Sequence, residues 1–562
     1  MEGRATTKKR SRSKSLVRSR KKRQRWEQQQ QNAGNGYYET TFAPRTRTTF
    51  EDYVATENFL AGNEHGIFLR CLRTPLPITF RIRNAETQNE FKHLWKNMMA
   101  SSSQLSHIRQ VASSGDTYQI SQEDYDSNYD LKRWSSLQTK LGTVSRQELV
   151  SMIPVWLLNI QSHHRILDMC ASPGSKTIQA VDALYNSDYE KSESGTSSNN
   201  KSNSALPPTG FVIANEIDPK RSYVLAHRCK TTLKEKQVSI AIVGHNATKF
   251  PNVLAPLSRN GDGDSSMESP SQSLLYDRII CDVPCSGDGN QRRDQKVFKT
   301  WHPTYGIALH TLQLRIAKRA IALLKIGGVM TYSTCSFHPI ENEAVVSALL
   351  ATKTVELIDP TPLLYKVAPQ LVIRSGLSYW KVYNDDMKEI EQPFQEANGD
   401  RKRPNKNNHD EITKLPSTLW PPTSTNDGTS ITRELSKCIR MVPHDNDAGG
   451  FFIAVLKKIR DYPTPTATTT KKKKKASPLI TPKGPHHSLY PLTSTTECRV
   501  TSTLHKPTNT VGLKRSDTGR RVFAVSNGLV QHLCNEIGSD KLNIVYAGYD
   551  ITKERSKTTT NS

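Results

Sequence analysis

The amino-acid sequence predicts an α/β fold organised around a parallel sheet, and three observations carry that prediction. Between Gln147 and residue 460, short β-branched runs recur (RILDM, FVIAN, SIAIV, DRIICDV, VMTYST, FFIAVL), set apart by helix-like segments. Strands that alternate with helical stretches belong to βαβ units, whose crossovers lay neighbouring strands parallel. The first run leads into a turn of small residues, CASPGSK, which joins a strand to a helix N-terminus. The third is the helix YGIALHTLQLRIAKRAIALLK, where Leu312, Ile316, Ala320 and Leu323 recur at helical spacing to cover the sheet. Its Arg315, Lys318, Arg319 and Lys325 fall largely off that stripe, and Gly327-Gly328 is expected to stop it.

Around this core the composition marks the remaining pieces. Residues 1–40, basic and then glutamine-rich, bury too little apolar surface to order themselves and are expected to be a disordered tail. Residues 50–146 form a separate N-terminal region that includes the strand-like LPITFRIR. The sheet domain spans 147–460, a Thr, Lys and Pro-rich linker 461–520, and a last short globular piece 521–556. Polar tracts at 186–209, at 258–273 and around DRKRPNKNNHDE lie between predicted elements, as surface loops that leave the core intact.

A hydrophobic fraction of 35% is low for 562 residues and agrees with that division. The formal charge is +25, most of it from twelve Lys/Arg in residues 1–25 and the run Lys471 to Lys475. The rest is still basic, which suits a polyanionic partner such as nucleic acid and no membrane. Nine cysteines without repeated pairing, no secretory leader and no apolar run near a membrane span point to free thiols in a reducing, soluble compartment. The N-terminal KKRSRSKSLVRSRKKRQR reads as a nuclear-localisation or RNA-binding arm. Its apolar content is too small for a mitochondrial transit peptide, so the nucleus is expected, the nucleolus included.

The turn after the first strand sets the cofactor class. Cys170, Ala171, Ser172, Pro173, Gly174, Ser175 and Lys176 offer backbone N–H groups and a helix N-terminus to a ligand. The glycine spacing of a phosphate-binding Walker loop is missing, as is the dinucleotide GxGxxG pattern. Glu216, at the end of the second strand, lies 46 positions after Cys170, or 22 once the 24-residue polar tract is set aside. An acid about 20 residues on holds a ribose diol. Together these favour a ribose-bearing nucleoside without a diphosphate, such as S-adenosylmethionine.

Strand DRIICDV ends in Asp282, Pro284 and Cys285, and VMTYST ends in Cys335, so both thiols and the carboxylate belong to the sheet edge where ligands bind. Pairs of cysteines at strand ends are commonly inert buried thiols; the shared edge with Glu216 and CASPGSK raises the functional reading.

Taken in order, RQELVSMIP, ILDMCASPGSKT, FVIANEIDPKR, YDRIICDVPCSGDG, LQLRIAKRA, YSTCSFHPIENEAVV and CIRMVPHDNDAGGFFIAVLKK resemble the Fmu/Sun-type RNA (cytosine-5) methyltransferases, most closely the eukaryotic tRNA-methylating branch. The resemblance covers roughly residues 50–460, and Val522 to Gly548 is similar to the start of a C-terminal PUA-like RNA-binding region, cut short. It implies a Rossmann-like, S-adenosylmethionine-dependent sheet, an N-terminal RNA-binding region and 5-methylcytosine formation in RNA. Cys170 to Lys176 would bind the methyl donor, Glu216 its ribose, and Asp282 would lie between donor and base. Asn246 stands where the family carries an acid near the adenine; its side-chain oxygen could still accept from the amino group. The family's attacking thiol is the Thr-Cys one, here Cys335, while Cys285 of Pro-Cys helps release the product. Cys281 matches no required position and is expected to pack in the sheet.

The chemistry explains these residue types. Cytosine carbon 5 becomes nucleophilic only after a thiolate adds to carbon 6, and charge developing at N3 needs a donor such as a carboxylic acid, here Asp282. A thiolate requires electropositive surroundings, for which Lys176 is the motif residue. Arg81, Arg83, Arg292 and Arg293 are candidates for holding RNA, and an exposed arginine is as often a solvated face. No metal is expected, and a monomer is. Ribosomal or messenger RNA as substrate, or a binding scaffold without catalysis, remain alternatives to tRNA methylation.

Overall fold

In the computed structural model of the protein, the described residues run from Phe50 to Tyr462, with breaks at 58, 61, 84, 102–107, 113–115, 187–207, 255–272, 393–414 and 423–425, and continue as strand segments at 489–491, 510–515, 522–526, 544–547 and 549–550. The basic tail expected over 1–40 lies outside them.

Hydrophobic alternation in LPITFRIR produces β1 (Ile78–Ile82), which pairs with β3 (Thr117–Ile120) and β4 (Val144–Arg146). With β2 (Arg109–Gln110) they form an antiparallel sheet in the order β2-β3-β1-β4. Ahead of it, α1 (Phe50–Thr56) and α2 (His65–Arg73) bury Phe50, Tyr53 and Phe68 against Trp301 and Phe337. Phe59 stacks on Phe337 with ring centroids 5.7 Å apart. The N-terminal region is thus anchored two residues beyond Cys335.

All six β-branched runs become strands of one ten-stranded sheet. They are β5 (Arg165–Asp168), β6 (Phe211–Asn215), β7 (Ile240–Val243), β8 (Tyr276–Asp282), β9 (Leu324–Thr334) and, after β10 (Val355–Leu357), β11 (Arg374–Ser375) and β12 (Ile439–Met441), the last run as β13 (Phe451–Lys458). The order is β11-β12-β13-β9-β8-β5-β6-β7, with β10 also against β13 and Ile544–Ala547 added beside β7. β9, β8, β5, β6 and β7 are mutually parallel, and β13 runs antiparallel to β9. Every residue of β6 and β7 is buried, as expected of strands covered on both faces. The chain winds outward from β5 to β7, then returns to β8 on the other side of β5. That reversal opens a crevice at the carboxyl ends, where doubly wound sheets bind ligands.

α3 (Leu149–Trp156) precedes β5, α4 (Ser175–Asn186) and α5 (Pro219–Leu233) follow β5 and β6, and α6 (Tyr305–Leu323) and α7 (Glu343–Leu350) follow β8 and β9. In α6 the buried face is wider than the predicted stripe, adding Leu314, Ala317 and Ile321, with Leu312 only half-buried. The predicted stop is displaced. The helix ends at Leu323, and Gly327-Gly328 lies inside β9, where the register jumps from Leu324 opposite Tyr276 to Val329 opposite Arg278. The glycines serve a bulge rather than a helix terminus.

The stretch expected as linker contains strands. Leu489–Pro491 and Thr510–Arg515 join Val522–Ser526 and Tyr549–Asp550 in a four-stranded sheet, because TVGLK pairs antiparallel with VFAVS.

Candidate active site

A cleft of about 780 Å³ lies at the carboxyl ends of β5 and β8, closed on its other side by Pro75 to Thr79, Arg146 and Gln147 of the N-terminal region. Cys170, Ala171, Ser172, Pro173, Ser175, Lys176, Asp282 and Cys335 all line it. Gly174 is required in the loop: its φ is 100°, and a Cβ there would stand 2.7 Å from Leu225 Cδ1.

Lys176 donates to Asp282 Oδ2 at 2.7 Å and to Ser151 Oγ at 3.2 Å, while Ser333 donates to Asp282 Oδ1 at 2.7 Å. Burial opposes the Lys176 ammonium, but Asp282 beside it prevails and raises its pKa. Lys176 also faces the Phe451 ring, 5.2 Å from the centroid. The two thiols meet: Cys285 Sγ is 3.2 Å from Cys335 Sγ, and Asn290 Nδ2 donates to Cys335 Sγ at 2.9 Å. The hydrogen bond to Cys335, then burial, holds the Cys285 proton well beyond the usual thiol range. The groups touching Cys335 are Asn290 and Cys285, not Lys176. Cys281 is fully buried in the sheet core.

Four candidates differ from expectation. Arg81 and Arg83 are buried on Asp182 of α4, at 2.9 and 2.5 Å. Arg292, 2% exposed, binds Asp447 at 2.6 Å and donates to the carbonyl oxygens of Thr74, Pro75 and Ala448. These guanidiniums tie the N-terminal region to the sheet domain, and Arg292 also lines the cleft. Arg293 alone is exposed, at 3.0 Å from Glu148 at the cleft. Asn246 is also differently engaged: its Oδ1 accepts from Thr248 N at 3.0 Å and Thr248 Oγ1 at 2.8 Å, capping a turn after β7. Glu216, buried at the end of β6, accepts from Asp218 N at 3.0 Å and pairs with Arg221 at 3.4 Å.

Sequence reasoning missed four groups. Asp168 accepts from Thr177 Oγ1 at 2.7 Å, while its buried Oδ1 lacks a hydrogen-bond partner and the residue lines the cleft; burial pushes its carboxyl up to about 7. It lies within ILDM and could have been singled out there. Ser333 and Glu341 likewise sit in quoted motifs. Asn290 had no signal: a short turn after the Pro-Cys loop brings it onto Cys335. Among the described residues no cluster of His, Cys, Asp and Glu could hold a metal, and no helix is long and apolar enough to cross a membrane.

Parallel strands in this winding order with an antiparallel β13, and a small-residue loop and ribose-type acid at their carboxyl ends, define a Rossmann-like methyltransferase domain. Residues 203–398 match the model of the 16S rRNA methyltransferase RsmB/F family. The chain is 35% identical over 433 residues to a multisite-specific tRNA:(cytosine-C(5))-methyltransferase of Schizosaccharomyces pombe, covering 73% of this chain and 59% of that protein. It is 32% identical to the enzyme of that description from Saccharomyces cerevisiae, covering 73% and 55%. A Drosophila melanogaster tRNA (cytosine(34)-C(5))-methyltransferase is 34% identical over 59% of this chain and 39% of its own length. The chain thus spans little more than half of the two fungal relatives. The crystal structure of NSun6 from Pyrococcus horikoshii with SFG is 15% identical, with a TM-score of 0.45, covering 75% of this chain and all of that one.

Proposed function

We propose that the protein is an S-adenosylmethionine-dependent RNA methyltransferase that forms 5-methylcytosine, with tRNA as its substrate. The observation that carries this reading is the contact of Cys285 with Cys335, which lines one cleft with the Lys176–Asp282 pair. The fungal and fly relatives, named for tRNA cytosine-C(5) methylation, support it.

The residues present suit the methyl donor. Cys170, Ala171, Ser172, Pro173, Ser175 and Lys176 line the cleft around Gly174, whose φ is positive, Glu216 offers a carboxylate to a ribose diol, and the buried Asp168 lines the same cleft. S-adenosylmethionine would supply an electrophilic methyl group there. The protein's part is to make carbon 5 of cytosine nucleophilic. Cys335, as thiolate, adds to carbon 6, and Asn290 supports its sulfur. The ring then carries charge at N3, which the Lys176–Asp282 pair meets with a proton. Asp282, already accepting from Ser333, is held fixed for that task. For release, the C5–H pair closes the C5–C6 double bond, the C5 proton leaves to water, N3 returns its proton to the Lys176–Asp282 pair, and the C6–S pair returns to Cys335. Cys285, protonated and in contact, donates to the departing sulfur.

Transfer of labelled methyl groups to bulk tRNA tests the activity. Intact cofactor binding without transfer would instead favour a binding scaffold. The roles of the thiols are separable: Cys285→Ala should accumulate a protein–RNA adduct that survives denaturation, and Cys335→Ala should form none. We also place the protein in the nucleus, on its basic N-terminal run; a fluorescent fusion excluded from nuclei would overturn that.

A further inference from the structure

We infer that Glu341 is a positioning residue that locks the Pro-Cys and Thr-Cys loops together so that Cys285 can release the product; the inference rests on the roles proposed for the two thiols. Glu341 is fully buried, and its carboxylate accepts from Ser286 N at 2.9 Å, Ser286 Oγ at 2.5 Å, Ser336 Oγ at 2.8 Å and Gln313 Nε2 at 2.8 Å. Ser286 follows Cys285 and Ser336 follows Cys335, so one carboxylate grips both loops beside their thiols. Gln313, from α6, also donates to Pro284 O at 2.9 Å, and Ser286 Oγ lies 3.0 Å from Ser336 Oγ.

The two loops leave neighbouring parallel strands at Asp282 and Thr334, and beyond those points Val283 N to Ser333 O at 3.1 Å and Gly289 N to Cys335 O at 2.9 Å still join their backbones. Between those two bonds, at Cys285 and Ser286, the gap is spanned by side chains, so the thiol contact depends on them as well. Each donor to Glu341 named here is neutral, so its charge is felt nearby. After the bond to Cys335, burial and the Cys335 charge, it is a further cause keeping Cys285 protonated. Attack needs Cys335 and the base. Release needs Cys285 against the leaving sulfur as well, so loosening the clamp should slow release first.

Glu341→Gln keeps the shape but replaces one acceptor oxygen with an NH2 that faces donors. The expected result is a denaturation-resistant protein–RNA adduct with both cysteines intact and methyl-donor binding unchanged. Release should slow by about 10- to 100-fold, the range for losing one or two hydrogen bonds to a charged acceptor. Adding Cys335→Ala should abolish the adduct. Ser286→Ala, which deletes one donor and leaves the carboxylate, should show the same signature at smaller amplitude, and wild-type release in it overturns the inference even if Glu341→Gln does not fold. Lower turnover without adduct in Glu341→Gln, when Cys285→Ala does accumulate it, reduces Glu341 to a structural carboxylate. Absence of adduct in Cys285→Ala itself is a different failure, of the thiol roles on which the inference rests.

Discussion

Asp282 and Asp168, at adjacent strand ends, are treated in opposite ways. Asp282 has a lysine at 2.7 Å, whereas Asp168 is buried with one oxygen unpartnered and its carboxyl pushed up to about 7. A carboxyl raised in the folded state keeps its proton there while the unfolded chain has lost it. Stability therefore falls as pH rises from about 4 to 7. Asp168→Asn should escape this loss, so its melting temperature should overtake that of the parent chain on going from pH 4 to 8, by a free-energy difference on the order of 1–4 kcal/mol. Parallel melting curves across that range would show that Asp168 is not the titrating group. The motif residues were legible because each is fixed by chain neighbours: Cys335, Cys285, Asp282 and Lys176 follow strands or open a helix. The arginines were misread because alternation says which residues share a face and nothing about what covers it. Asp182, which captures Arg81 and Arg83, lies about a hundred positions away.

Between elements, close backbone approach decides where the catalytic loops sit. Gly289 N donates to Cys335 O and Gly289 O accepts from Gly450 N, both at 2.9 Å; a Cβ on Gly289 would lie 2.4 Å from Gly450 O. Gly289→Ala should displace Cys335 and lower methyl transfer by about 100-fold, the scale expected of a misplacement near 1 Å. Methyl-donor binding, at the Cys170 to Lys176 turn, should change little; equal losses in both would point to general unfolding. The strands and their order were readable from β-branched runs. The Gly327-Gly328 bulge was not, since a glycine pair after a helical stripe fits a helix stop as well as a β-bulge.

For the molecule as a whole, the N-terminal region is held to the sheet by buried charge. Burial pushes the Asp182 carboxyl up, yet Arg83, Arg81 and Lys236 outweigh it and hold it far below the usual range. That stability is present at neutral pH and is lost as pH falls through and below the ordinary carboxylate value. Asp182→Ala would leave two guanidiniums buried without a counter-charge, a cost of about 3–5 kcal/mol. Denaturant titration should show the lower midpoint; an unchanged midpoint would mean that the arginines find water. The tail makes a separate contribution. Deleting residues 1–25 removes twelve Lys/Arg and should flatten the salt dependence of RNA binding while sparing methyl transfer at saturating RNA. An unaltered slope would assign the electrostatics to the sheet domain.

The winding of the chain has a practical consequence. The C-terminal end of α4 at Asn186 and the start of β6 at Phe211, which residues 187–207 connect in sequence, lie at the amino ends of the parallel strands, opposite the cleft. A fluorescent domain spliced there would report on the molecule without standing between the RNA and Cys335.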